Sequence, residues 1–171
     1  KLPRGEMFRL MDNVLRYQKE ARNPYSDLRQ SHAQYEPLLR LTRAGVLTGY
    51  EAGRVLADSP ITRAEAVVLF ARMFGVAENA SAALEFADGY NIGQWARPLV
   101  GGMKRAGFIQ GYQNLFHPQE TITLGEVTTI LDNMLAQLYR YDDPYESTVQ
   151  HTGYTVINQA GVRLRDMTVQ G

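Results

Sequence analysis

The sequence predicts a mainly α-helical protein: a bundle of three capped central helices with shorter helices projecting from it as lobes, followed by an extended, β-patterned C-terminal segment. Three observations predict it. A capping box, Thr-x-x-Glu ahead of a helical apolar run, occurs at Thr62 and Glu65 and again at Thr123 and Glu126, with an incomplete copy at Pro3 and Glu6. A Gly-x-x-x-Gly-Tyr stretch occurs twice, ending at Tyr50 and at Tyr112. Beyond about Arg140 the helical period gives way to alternation of apolar and polar residues.

The first helix is expected from residue 3 to about 20. Pro3 stands where a capping hydroxyl would be and is well tolerated at a helix start. Met7, Leu10, Met11, Val14 and Leu15 share its apolar face. Residues 23–27 form a polar turn. A second helix spans about 33–44, with Tyr35, Leu38, Leu39 and Val46 apolar and Gly45 as its stop. Residues 49–53 make a turn, and 54–59 are extended or irregular. The third helix opens at Thr62, buries Ala66, Leu69, Phe70 and Met73, and stops at Gly75. Arg63, in its first turn, is not needed for the cap and is expected to face outward. Residues 76–84 read as an Ala-rich linker.

The order of elements then starts again. Phe86-Ala87-Asp88 answers Tyr25-Ser26-Asp27, Trp95 answers Tyr35, and residues 105–112 answer 43–50 almost position for position. The last central helix begins at Thr123, with Val127, Ile130, Leu131, Met134, Leu135 and Leu138 on one face. Asp27 to Asp88 and Glu65 to Glu126 are each 61 residues apart, Gly45 to Gly107 and Gly49 to Gly111 each 62, and Arg4 to Arg63 is 59. A unit of this length that recurs cannot bury its apolar face alone, and three capped stripes bury one another. The chain therefore divides into 1–22, the C-terminal helix of a truncated first repeat; 23–84, a second repeat; 85–140, a third; and 141–171, a linker and the start of a β-rich domain. In that last part Val156, Val162, Leu164, Met167 and Val169 are spaced as short strands, punctuated by Gly161, which suggests a β-solenoid continuing past a fragment of a longer protein.

Composition narrows the function. The 171 residues carry 18 basic and 18 acidic side chains, so no basic stripe marks a nucleic-acid binder. Cysteine is absent, which removes disulfides, thiolate metal sites and a cysteine nucleophile and leaves the redox compartment open. No apolar run reaches membrane-spanning length. His32, His117 and His151 lack metal-ligand spacing and read as surface residues. No nucleophile motif, phosphate loop or dinucleotide fingerprint occurs, so neither catalysis nor a cofactor is expected.

The combination of Phe86-x-Asp88, Trp95, Ala106-Gly107, Gly111-Tyr112 and Ile61-Thr62-Arg63-Ala64-Glu65, at about 60-residue spacing, resembles the S-layer homology (SLH) domain. The tail from Val156 to Asp166 also resembles the β-helix onset that follows such modules in some surface proteins. The resemblance implies a pseudo-threefold, non-enzymatic module on the cell surface. Its partner would be an acidic secondary cell-wall polysaccharide, often bearing a pyruvate ketal on an N-acetylhexosamine, bound in grooves between repeats. Carried over to this chain, the ligand-binding positions are Arg63, Arg4, Trp95, Asp27, Asp88, Gly49 and Gly111. Two departures stand out: Leu124 occupies the third signature arginine's place, and the first repeat lacks its front half.

Each position also has a structural reading. A helix N-terminus presents free N–H groups that favour an anion, and a guanidinium there adds a fork for a carboxylate; Arg63 could instead bridge to a neighbouring repeat. Glu6, Glu65 and Glu126 are capping groups. Trp95 stacks on a sugar or plugs the core. Asp27 and Asp88 cap a segment or hold a signature arginine. Gly49 and Gly111 are expected at positive φ. The alternative function is a helical spacer or protein-contact module without carbohydrate binding.

Overall fold

The computed structural model describes residues 1–139 and 154–157. Three central helices, α1 (Arg4–Leu15), α3 (Arg63–Met73) and α6 (Leu124–Met134), are each preceded by an extended strap, and α2 (Tyr35–Arg43) and α5 (Arg97–Arg105) form the lobes. Both complete capping boxes form: Thr62 accepts from the Glu65 N–H while Glu65 accepts from the Thr62 N–H, and Thr123 and Glu126 do the same. The incomplete box at Pro3 has no side-chain cap. α3 is buried on nearly every side, from Ala64 through Ala71 except Glu65, and packs against α5. Met7, Phe8, Met11, Val67, Phe70, Ile130 and Met134 belong to one continuous core.

The repeats are joined by backbone at the helix starts. The Arg4 and Gly5 N–H groups donate to the carbonyls of Ser59 (2.9 Å) and Ala57 (2.8 Å), and Ile61 donates to Leu2 (3.2 Å). One repeat on, Arg63 and Ala64 donate to Glu120 (2.8 Å) and Pro118 (3.1 Å), and Ile122 donates to Ile61 (3.1 Å). The first N–H groups of a helix have no partner within it. Here the next repeat's strap supplies the acceptors, so helix start and repeat joint are one structure. The expected free N–H groups at the start of α3 are therefore already occupied.

Several elements depart from the periodicity. α1 stops at Leu15, well short of residue 20, because Arg16 turns left-handed (φ 48°) and donates back to the Asp12 carbonyl. The Asp12 side chain, 8% exposed, is gripped by a three-bond fork from Arg40 of α2, which pins the end of α1 to the lobe. The expected linker 76–84 contains a short helix, α4 (Ala80–Ala83), capped by Asn79 Oδ1 accepting from the Ala82 N–H. α4 lies against α5 at Gly101 and Gly102, where a Cβ would meet the Asn79 carbonyl at 1.7 Å and the Ala77 carbonyl at 2.1 Å.

The largest departure is at the end of α6. Leu135 and Leu138 do not continue the helix face; they lie in a strand, β1 (Leu135–Tyr139), that pairs in parallel with β2 (Tyr154–Ile157). The local sequence Leu-Ala-Gln-Leu suits a helix. The ladder with the β-branched stretch Thr155-Val156-Ile157 overrides it, a pairing from outside the periodicity window. The expected strand at Val156 is thus present, and Val162, Leu164, Met167 and Val169, with the β-helix onset, fall outside the described residues.

Candidate ligand-binding grooves between repeats

Arg63 does not face outward. It leaves the first turn of α3 towards the neighbouring repeat, where Nη1 lies 2.5 Å from Glu126 Oε1 and Nη2 donates to the Gln110 carbonyl at 3.3 Å. Its side chain is 15% exposed, and its guanidinium sits over the Phe116 ring at 5.5 Å. Arg4 makes the corresponding reach one repeat earlier, with Nη1 2.9 Å from Glu65 Oε2. It is 5% exposed and enclosed by the rings of Tyr50 (4.5 Å) and Phe8 (5.7 Å).

Glu65 and Glu126 thus do two things. Each caps its own helix through Oε2, and each offers a negative charge to the arginine of the preceding repeat. Burial pushes both carboxyls up. Hydrogen bonds outweigh it, from Tyr50 and Thr62 for Glu65 and from Thr123 for Glu126, and with the nearby arginine they hold both below the usual range. The Tyr50 phenol donates to Glu65 Oε1 and is itself pushed well up, by burial first and by that carboxylate second. Even so, among the described residues Arg4 Nε and Arg63 Nε are buried with no hydrogen-bond partner, and Arg4 Nη1 has only its ion pair to Glu65.

The remaining expected positions make other contacts, although Gly49 and Gly111 stand in the chain beside Tyr50 and Gln110 of the two joints. Asp27 accepts from the Val55 and Leu56 N–H groups (2.8 and 2.9 Å), and Asp88 from those of Phe116 and His117 (2.7 and 2.8 Å). Leu56 and His117 are both left-handed, at φ 51° and 57°, so each aspartate clasps a strained turn rather than an arginine. Gly49 has φ 74°, and a Cβ there would meet the Tyr25 ring at 2.7 Å. Gly111 is not at positive φ, against expectation; it is glycine because a Cβ would lie 2.6 Å from the Leu115 carbonyl across the hairpin. Trp95 is 58% exposed, with its indole over Gly93, so it is no core plug, and neither arginine stacks on it. His32 and His117 are partly buried rather than on the open surface, His32 beside Asp58 and His117 beside Glu120, and His151 is outside the described residues.

Sequence reading did not pick out Tyr50, the Gln110 carbonyl or the second role of the capping glutamates. A signal for the last was present. Arg63 and Glu65 are two apart on a helix and cannot face each other, so a repeated Arg-x-Glu finds its partners between copies.

Head-to-tail helical repeats, joined by strap and helix start and by an arginine reaching the next repeat's capping glutamate, define a modular repeat protein. The S-layer homology domain family model matches residues 24–67 and 85–128, about half of the chain, and the chain belongs to that family. It is 26% identical over 125 residues to an S-layer protein of Bacillus thuringiensis subsp. finitimus, covering 72% of this chain and 14% of that one. The S-layer protein sap of Bacillus anthracis matches equally, 26% over 125 residues with the same coverage. A cellulosome-anchoring protein of Acetivibrio thermocellus is 30% identical over 124 residues, 70% of this chain and 26% of that protein. The chain thus spans about a quarter or less of the length of these relatives. Among the described residues no helix is long and apolar enough to cross a membrane.

Proposed function

We propose that this chain is a non-enzymatic anchoring module of the cell surface, which holds its parent protein to the wall by binding an acidic, pyruvylated secondary cell-wall polysaccharide in the grooves between repeats. Membership of the SLH family and the relatives named for S-layers and cellulosome anchoring support the anchoring role. The observation that carries the groove is the buried, unpartnered guanidinium donor at each joint. Such a donor is costly while unpaired, and an oxyanion satisfies it. At Arg63 the Nη1 end is taken by Glu126, while the Nε–Nη2 edge has one donor without a partner and one on a long bond to Gln110. A ketal carboxylate fits that edge as a bidentate acceptor by displacing the carbonyl. Trp95, exposed on the same repeat as Glu126, offers a face for a sugar ring.

The Arg63–Glu126 pair favours a second reading, in which the arginine is only a strut between repeats. Pull-down on purified cell walls, before and after the acidic polymer is stripped, separates the two. Under the first reading Arg63→Ala weakens binding about ten- to a hundredfold, the worth of one hydrogen bond to a charged group. Arg63→Lys rescues it only in part, because an ammonium has no fork. Unchanged binding by Arg63→Ala, with a lowered melting temperature, establishes the strut instead.

A further inference from the structure

The two joints are built from equivalent residues and are not alike. In the later joint Arg63 holds Glu126 Oε1, and the hairpin tyrosine of that repeat, Tyr112, is 72% exposed. In the earlier joint the corresponding oxygen, Glu65 Oε1, is taken by the Tyr50 hydroxyl. Arg4 is left with its Nη1 in an ion pair to Oε2 at 2.9 Å and its Nε buried without a hydrogen-bond partner among the described residues, and the Tyr50 ring lies across its guanidinium at 4.5 Å. The hairpins differ in length by one residue: Tyr50 bonds to the Arg54 carbonyl, Tyr112 to that of Leu115.

We propose that Tyr50 is a cover that sets the affinity of the Arg4 joint, competing with the arginine for Glu65 and lying over the guanidinium that a ligand carboxylate has to engage. The inference rests on the saccharide reading above and deepens it: with Tyr50 in place the acidic sugar is taken at Arg63, and with Tyr50 removed at both arginines. The cover is a neutral phenol held by one hydrogen bond to a carboxylate and by its stacking on a cation. A ligand entering the Arg4 joint has to break both contacts before it gains its own. At the other joint Tyr112 already stands away in solvent. Tyr50 is 36% exposed and is not a member of the buried hydrophobic core, so truncating it removes no side chain from that core.

The test is calorimetry with a small pyruvylated N-acetylhexosamine on wild type, Arg63→Ala, Tyr50→Ala, Tyr50→Phe and the double variant Tyr50→Ala/Arg4→Ala, each checked for native circular dichroism. One binding event is expected in wild type, lost in Arg63→Ala. Tyr50→Ala gains a second event, at least about tenfold tighter at that joint than in wild type, since one hydrogen bond to a charged group is worth about that factor. The second event disappears in the double variant. Tyr50→Phe, which keeps the ring and loses the hydroxyl, falls between. A single, Arg63-dependent event in Tyr50→Ala overturns the cover and leaves the saccharide reading standing. No event in any variant overturns both.

Discussion

Asp88→Ala is the substitution with the most direct structural consequence. The Asp88 carboxylate spans 28 and 29 residues of chain to accept from the Phe116 and His117 N–H groups at 2.7 and 2.8 Å. Hydrogen bonds to a charged group are worth about 1.5–3 kcal/mol each. Asp88 is half-buried, so the low end applies to both and the loss is about 3 kcal/mol. For a protein of this size, that lowers the melting temperature by about 6–12 °C. His117 is held at φ 57°, which costs a non-glycine residue about 1–2 kcal/mol. Adding His117→Gly to Asp88→Ala should therefore return about 1 kcal/mol, at the expense of a weak surface contact with Glu120. Asp88→Asn keeps one acceptor but turns an NH2 towards the other N–H, and should lose about half as much as alanine. Urea unfolding followed by circular dichroism measures all three. A loss below about 0.5 kcal/mol for Asp88→Ala, with no recovery from His117→Gly, would refute the clasp.

Three further outcomes follow. Gly101→Ala drives a Cβ into the Asn79 carbonyl and should part α4 from α5, costing more than the 1–3 kcal/mol typical of overpacking; a melting temperature within 2 °C of wild type would contradict this, about the shift expected from half a kcal/mol. Arg40→Ala leaves the Asp12 carboxylate buried without its fork and should destabilise by about 3–5 kcal/mol at pH 7, the cost of breaking a buried pair, whereas Arg9→Ala, on an exposed pair, should cost under about 1 kcal/mol. Glu65, Glu126 and Asp27 are all held below their ordinary pKa, so each stabilises the folded state above the ordinary value, 4.5 for the glutamates and 3.8 for the aspartate. That stability is lost as pH falls through the lowered folded value. Melting temperature should thus drop as the pH is taken below about 4.5, and less steeply in Glu65→Gln; parallel pH profiles would show that Glu65 does not contribute.

The sequence by itself determined the central helices, their caps and their stops. A capping box is a contact over three residues, an apolar stripe repeats within one window, and Gly75, Gly45 and Gly107 end helices through their own left-handed backbone (φ 62°, 76° and 78°). It determined the family too, since a fixed offset between short motifs survives where overall identity is low. What only the tertiary structure decided depends on groups distant in the chain. Arg63 reads as an outward residue because nothing within its own helix can bind it; its partners are 47 and 63 residues away. β1 reads as helix because its ladder partner begins at Tyr154. Tyr50 and Tyr112 look equivalent by motif, yet one closes over an arginine and the other stands in solvent. A hairpin one residue longer and the competition of phenol and guanidinium for one carboxylate oxygen distinguish them, and neither is visible until the repeats are packed together.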